Sequence, residues 1–337
     1  MKKIMGNLNE SLYLIVYHKE DNDGLFSMAI VYNYFVHEIK CDKDKISLLG
    51  VDYNDLNSIS DEDIKSWKES FDYIVMTDIC FNNNKRMIEL KNMFEDRFVW
   101  IDHHAPVINE SYRLKFDDIN GERNTLRSAL LNTYKYYYDQ FDISYNDKKV
   151  PEILRILSAY DSWSYEREGY TIDYVMAVNK AVTHTFKLNP QKVIDFVYKV
   201  IYTDTIDEKD ILSFYVLGNS FIEYDKANYK SLIDYYGDFS FVIDKGDIKE
   251  PICVLFYQAP TGSYVFESCK DRVNHGVVFK RLPTGNWVLS LYNTKNDIDF
   301  HCGEFCKTKY NGGGHKGAAG AQLTEAQFKK ILKSKIL

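Results

Sequence analysis

Phe98-Val99-Trp100-Ile101-Asp102-His103-His104 is the stretch whose reading decides the fold. Four consecutive apolar residues, β-branched and aromatic, have the character of a buried strand, and this strand delivers a carboxylate and two imidazoles to its own end. Burying such groups is costly unless a cation or hydrogen bonds compensate them, so the cluster reads as a ligand set. Two other stretches repeat the arrangement. Leu12-Tyr13-Leu14-Ile15-Val16-Tyr17 runs into His18-Lys19-Glu20-Asp21-Asn22-Asp23-Gly24, and Tyr73-Ile74-Val75-Met76-Thr77 stops at Asp78. Ligands of open α/β sheets bind beyond the carboxyl ends of the strands, so the three ends are expected to converge on one site.

The segments between these strands are helical in pattern. Leu25, Met28, Ala29, Tyr32, Phe35 and Val36 recur at helical spacing, with Gly24 where the chain must turn from strand to helix and Asp21 and Asp23 in the loop at the helix start. Lys45 to Val51 reads as a further strand ending at Asp52, for which no metal role is expected. Asp61 to Ser70 and Asn84 to Phe94 read as helices, and the alternation predicts a mostly parallel sheet with right-handed crossovers. Farther on, Leu126, Ala129, Leu130, Tyr134 and Tyr137 share a helical face, and the helix Ile153 to Tyr160 ends at Asp161-Ser162-Trp163. Read alone, Asp161 is a cap or turn residue. Helices continue from Thr185 to Tyr236, Asn189-Pro190 opening one and Gly218 interrupting another. The periodicity then changes to short strands at Phe239 to Ile243, Ile252 to Tyr257, Gly276 to Lys280 and Trp287 to Leu291, with a hairpin turn over 282–286. The expected fold is α/β: a mostly parallel sheet flanked by helices, followed by a smaller α+β domain.

With 337 residues the chain exceeds the usual size of a single core, and two domains are expected. A net charge of −7, both signs well mixed, speaks against a large footprint for long duplex nucleic acid but leaves short oligonucleotides and nucleotides open. The first residues lack the apolar core of a signal peptide and no run reaches membrane-spanning length, so no membrane partner and a cytoplasmic location are expected. Cys41, Cys80, Cys253, Cys269, Cys302 and Cys306 are scattered, which suits reduced thiols better than a disulfide framework. Only Cys302 and Cys306, beside His301, have ligand-like spacing, and a helical pair of this kind with no second pair is more often packing than zinc.

Asp21, Asp23, Asp78 and Asp102, gathered with His18, His103 and His104 at one sheet edge, would repel one another without a counter-charge. Two divalent ions resolve this, and mixed carboxylate and imidazole donors suit Mn²⁺, with Mg²⁺ preferring fewer nitrogens. Asp78 is the candidate to bridge them. The other half of the chemistry is Gly312-Gly313-Gly314-His315, where consecutive glycines expose backbone N–H groups to a phosphate and His315 adds a donor. A glycine triplet by itself is usually a turn. Its sequel of His315-Lys316 and Ala318-Ala319 makes it more specific.

His18-x-x-Asp21-x-Asp23-Gly24, Asp78, Asp102-His103-His104, Asp161 and the late Gly-Gly-Gly-His-x-x-Ala-Ala-Gly at 312–320 resemble, in order, the motifs of the DHH phosphoesterase superfamily carrying the DHH-associated C-terminal domain. That branch includes oligoribonucleases acting on very short RNA (nanoRNases), phosphodiesterases of cyclic dinucleotides and their linear products, and RecJ-like exonucleases. The resemblance implies a catalytic metal-binding domain over 1–184, a helical linker region over 185–236 and a substrate-binding domain over 237–337. It implies that His18, Asp21 and Asp78 hold one Mn²⁺ and that Asp23, Asp78, His103 and Asp161 hold the other, which turns Asp161 from a cap into a ligand. Asp102 and His104 would orient the ligands or contact substrate, so that Asp102, His103 and His104 form the catalytic group, and Gly312, Gly313, Gly314 and His315 would bind a phosphate.

The implied activity is metal-assisted hydrolysis of phosphodiester bonds in short single-stranded oligonucleotides or linear and cyclic dinucleotides. One departure stands out. The family often has Ser-Leu-Arg-Ser where this chain has Ser290-Leu291-Tyr292-Asn293, and Tyr292 can stack on a base or donate one hydrogen bond but cannot form a phosphate fork. A pyrophosphatase or polyphosphatase shares the first half of the pattern but not the glycine motif. A RecJ-like exonuclease is disfavoured by the acidic charge, and a non-catalytic nucleotide sensor by the complete ligand set. The resemblance allows a homodimer, although no stretch of this sequence specifies one.

Overall fold

The computed structural model describes residues 8–81, 84–114, 118–138, 150–203, 205–258, 265–294, 299–314 and 316–337. It separates into two compact units, Met1–Phe221 and Ile222–Leu337.

In the first unit, β1 (Tyr13–His18), β2 (Ile46–Val51), β3 (Tyr73–Thr77) and β4 (Phe98–Ile101) form one sheet in the order β2-β1-β3-β4, every pair parallel. The register brings Tyr17, Thr77 and Ile101 into one row across the sheet. The next residue of each strand, His18, Asp78 and Asp102, is therefore delivered to the same level of the carboxyl edge. Alternation assigns the rest of each strand to two cores. Tyr13, Ile15, Tyr17, Val75, Val99 and Ile101 pack on one face; Leu14, Val16, Ile74, Met76, Phe98 and Trp100 pack on the other. Both faces are apolar because helices cover both, as a parallel sheet requires.

The helices of this unit are α1 (Asn22–His37), α2 (Tyr53–Ser58), α3 (Asp61–Ser70), α4 (Asn84–Phe94), α5 (Ala105–Leu114), α6 (Ala129–Tyr138), α7 (Glu152–Asp161), α8 (Ile172–Phe186) and α9 (Pro190–Tyr198), followed by α10 (Glu208–Tyr236), within which the unit boundary falls. α1, α6, α7, α8 and α9 line the first core, and α2, α3 and α4 line the second through Leu56, Ile64, Trp67, Met87, Leu90 and Phe94. Their starts follow local chemistry. Ser60 and Asp63 form a capping box on α3, Asn189 caps α9 with Pro190 in its first turn, and Asp52 with Asp55 forms a capping box on α2. Asp52 is thus committed to its helix.

Two helical expectations change. Leu126 shares the periodicity of α6 but precedes it, 57% exposed. Gly218 does not interrupt α10, which runs through it unbroken. A Cβ there would come within 1.7 Å of the Ala177 carbonyl oxygen of α8, so the glycine lets two helix backbones touch.

The second unit contains β5 (Asp238–Asp244), β6 (Lys249–Phe256), β7 (His275–Arg281), β8 (Trp287–Asn293), β9 (Gly313–Gly314) and β10 (Ala318–Leu323), with α11 (Cys302–Tyr310) and α12 (Glu325–Ser334). The sheet order is β5-β6-β7-β8-β10-β9, with β6 and β7 parallel and the other pairs antiparallel. A turn closed by Leu282 N–H donating to the Asn286 carbonyl joins β7 to β8, with Gly285 at φ +87°. Cys302 and Cys306 lie in the core beside Phe241, Ile252 and Leu323, while His301 caps α11 by accepting from Glu304 N–H. Their spacing serves packing, and all six cysteines are buried thiols. Among the described residues no helix is long and apolar enough to cross a membrane.

Candidate metal centre

The first arm of the centre is the turn from β1 to α1. Asp21 caps α1 by accepting from Gly24 N–H at 3.0 Å, which places Asp23 in the first helical turn with its side chain buried. Asn22 between them donates through Nδ2 to Asn179 Oδ1 at 2.7 Å and Thr183 Oγ1 at 2.9 Å, pinning the turn to α8. The two aspartates consequently serve different neighbours. Asp21 Oδ2 lies 3.0 Å from His18 Nδ1, whereas Asp23 accepts from Ala129 N–H and Leu130 N–H at the start of α6 and sits 3.6 Å from His103 Nε2.

Gly24 makes this turn achievable. A Cβ at that position would be 2.1 Å from the His18 carbonyl oxygen, a backbone atom that cannot swing aside. Gly24→Ala is expected to cost about 2–4 kcal/mol, at or above the usual range for overpacking, and to weaken any divalent-metal binding by displacing His18. Thermal melts with and without Mn²⁺ check this, and an unchanged melting temperature would overturn it.

The second arm is Asp78, immediately after β3. It holds φ at +58°, a left-handed conformation that aspartate tolerates better than most residues, and its N–H donates to the Ile101 carbonyl at 3.0 Å. Backbone strain of this kind concentrates at functional positions. Its carboxylate is divided between two imidazoles: Oδ2 is 3.6 Å from His18 Nδ1 and Oδ1 is 3.5 Å from His103 Nε2.

The third arm follows β4. Asp102 is fully buried; Oδ1 accepts from His103 N–H at 2.7 Å and His104 N–H at 3.0 Å and lies 2.7 Å from His104 Nδ1, while Oδ2 accepts from Trp100 Nε1 at 3.1 Å. It caps its turn and holds the His104 ring at once. Asp161, the last residue of α7, completes the cluster with Oδ2 3.2 Å from His103 Nε2.

The electrostatics call for added positive charge. Burial disfavours protonation of His18, yet Asp21 and Asp78 beside it carry its pKa up to about 11; His103 reaches about 11 in the same way, against burial, through Asp78, Asp23 and Asp161. Burial lifts Asp161 to about 7 despite the pull of His103, and raises Asp23 together with repulsion from Asp78 and Asp161. Asp78 is held low, against its burial, by His103 and His18. Imidazolium protons thus take the place a cation would fill. The geometry agrees, because Asp78 Oδ1 and Asp161 Oδ2 are buried and accept no well-aligned hydrogen bond, with His103 Nε2 beside them at 3.5 and 3.2 Å. Donors 3.0–3.6 Å apart are spaced close to neighbouring donors on one ion, about 3.0–3.4 Å for bonds of about 2.1 Å. Among the described residues, three groups could hold a metal ion: His18, Asp21 and Asp78; Asp23, His103 and Asp161; and Asp78, His103 and His104.

Every ligand candidate named from the sequence in the first unit is therefore brought together. Tyr53 was not anticipated. Its ring centroid lies 5.9 Å from that of His18 and 6.3 Å from that of His104, and burial together with the charges of Asp102 and Asp78 drives its hydroxyl far above the usual range. Its one sequence signal was position, two residues past the end of β2.

In the second unit, Gly312 and Gly314 are taken up by packing. A Cβ on Gly312 would be 2.2 Å from the Gly320 carbonyl oxygen, and one on Gly314, at φ +139°, 2.6 Å from Ala319 Cα. Only Gly313 of the three has open space where a side chain would be. His315 lies outside the described residues. Tyr292 sits half-buried on β8 opposite Ala318, its ring 6.0 Å from that of Phe266.

No family model matches the chain, and no curated protein matches it in sequence. Among solved structures, the DHH domain of a member of the s1p family of ribosomal proteins aligns with 98% of this chain and 86% of its own at 12% identity and a TM-score of 0.58. A pGpG-specific phosphodiesterase from Vibrio cholerae aligns with 96% of this chain and 97% of its own (13% identity, TM-score 0.48), and an exonuclease RecJ bound to manganese with 97% and 91% (13% identity, TM-score 0.46). The first of these carries the comparison. Together with the parallel order β2-β1-β3-β4, it shows that this chain has the fold of that DHH domain.

Proposed function

We propose that this chain is a Mn²⁺-dependent phosphodiesterase that hydrolyses short oligonucleotides or linear and cyclic dinucleotides. The observation that supports it most is the division of the Asp78 carboxylate between His18 and His103, which makes Asp78 the common member of two donor sets. In this reading His18, Asp21 and Asp78 hold one ion, and Asp23, Asp78, His103 and Asp161 hold the other. A divalent pair supplies Lewis-acid polarisation of a phosphoryl oxygen and an acidified water.

The chain's own groups do the rest. Asp102 fixes the His104 ring through Nδ1, leaving Nε2 to offer a proton or hydrogen bond to a phosphate or leaving oxygen; the His104 side chain is 35% exposed, enough to be reached. Trp100 Nε1, donating to Asp102, keeps that carboxylate from turning. We assign catalysis to residues 1–184, a linking role to 185–236 and substrate binding to 237–337, where the open space at Gly313 suits a phosphate against backbone N–H groups. Gly312 and Gly314 shape that strand, and Tyr292 and His315 remain its candidate substrate contacts.

A panel of labelled RNAs and DNAs, from dinucleotides to oligomers of a few dozen nucleotides, with cyclic dinucleotides and pyrophosphate alongside, tests this in Mn²⁺. Cleavage of the shortest substrates at least ~10-fold faster than the longest is expected. Phosphate release from pyrophosphate with every nucleotide left intact would replace the reading by a pyrophosphatase, and binding of a cyclic dinucleotide without turnover would replace it by a sensor.

A further inference from the structure

Trp163 occupies a position whose backbone asks for another residue. α7 ends at Asp161, Ser162 follows, and Trp163 then adopts φ +53°. Ser164 N–H donates to the Ala159 carbonyl at 3.1 Å and Trp163 N–H to the Tyr160 carbonyl at 3.4 Å, the paired bonds of a Schellman turn. Glycine is the usual residue there, since left-handed φ crowds any Cβ. Burial does not offset the strain, for Trp163 is 45% exposed and its ring contact is a tilted one with Tyr165 at 6.3 Å. The other tryptophans behave differently. Trp67 and Trp100 are buried, and Trp287 stacks on Phe328 at 3.7 Å.

Its location supplies the second observation. Side chains of the metal centre grade from 2% exposed at Asp23 and Asp78 to 27% at Asp161, 35% at His104 and 43% at Asp21, so Asp161 stands on the open side. Trp163 lies two residues beyond it, on the loop that leaves the centre.

We infer that the exposed indole of Trp163 is a stacking platform for a nucleobase of the substrate. The inference rests on the phosphodiesterase reading and deepens it: every base has a π-face, so the platform distinguishes nucleotides from inorganic polyphosphates while accepting any base.

Trp163→Gly tests this without threatening the fold, because glycine suits the left-handed backbone, and Trp163→Phe restores an aromatic face. For a dinucleotide in Mn²⁺, Trp163→Gly is expected to raise KM ~10-fold with little change in kcat, and Trp163→Phe to recover most of the loss. An otherwise identical abasic dinucleotide should show no such KM change. Equal effects on both substrates, or on neither, overturn the platform. Binding is read separately through quenching of tryptophan emission by adenosine monophosphate but not by ribose 5-phosphate, with loss of the quench in Trp163→Gly. If no phosphodiester is cleaved while this base-dependent quench survives, the catalytic reading falls and the platform stands; cleavage with unaltered KM and quench does the reverse.

Discussion

Asp78→Asn is expected to lower phosphodiester hydrolysis by at least ~10³-fold, about 4 kcal/mol of transition-state stabilisation, and to leave neither ion bound tightly. The change is nearly isosteric, and asparagine accepts a left-handed backbone as readily as aspartate, so the turn after β3 should survive at its φ of +58°. What is lost is the charge placed between His18 and His103. An amide can offer one neutral oxygen to one side only. Equilibrium dialysis against Mn²⁺, read beside the rate, separates this from misfolding. A variant that keeps two ions, or keeps the rate, would remove Asp78 from the centre of the mechanism.

Stripping the metal should be almost as severe. Chelation is expected to abolish activity, with recovery on adding Mn²⁺, and also to lower the melting temperature of the first unit. Each ion present at about a thousand times its dissociation constant adds about 4 kcal/mol to the folded state. At about 2–4 °C per kcal/mol for a unit of this size, the shift should be about 8–16 °C for each ion bound. The physical source is the set of buried carboxylates that otherwise depend on imidazolium charge, with Asp78 Oδ1 and Asp161 Oδ2 accepting no well-aligned hydrogen bond. Identical melts with manganese and with chelator would show that the cluster is a structural ion-pair network.

The sequence made the sheet and most of the centre legible because each relevant strand announces its end with a change of chemistry, apolar residues giving way to Asp or His. Parallel register does the rest, placing three such ends in one row without further information. What escaped depends on partners far along the chain. Gly218 looked like a break because nothing near it reveals the Ala177 carbonyl against which it packs. Leu126 matched the period of α6, yet the helix starts at Ala129, whose N–H is taken by Asp23, 106 residues earlier. Tyr53 was one tyrosine among 27, and no local pattern marks a ring that will lie near two imidazoles. Asp161 needed the family resemblance, since the end of a helix is an ordinary place for an aspartate. In the glycine triplet, Gly312 and Gly314 are explained by the neighbouring strand β10, which no local pattern reveals, and Gly313 is left with room beside it.

Asp23 is held by amide hydrogens at both oxygens, one from Ala129 and one from Leu130. Each oxygen retains a lone pair for a cation, but the carboxylate cannot swing outward to follow a larger one. A donor tethered in this way narrows the range of ionic radii the pocket accepts. A divalent ion bound there would be selected against calcium, which needs longer bonds and more oxygens, by amides more than a hundred residues farther along the chain.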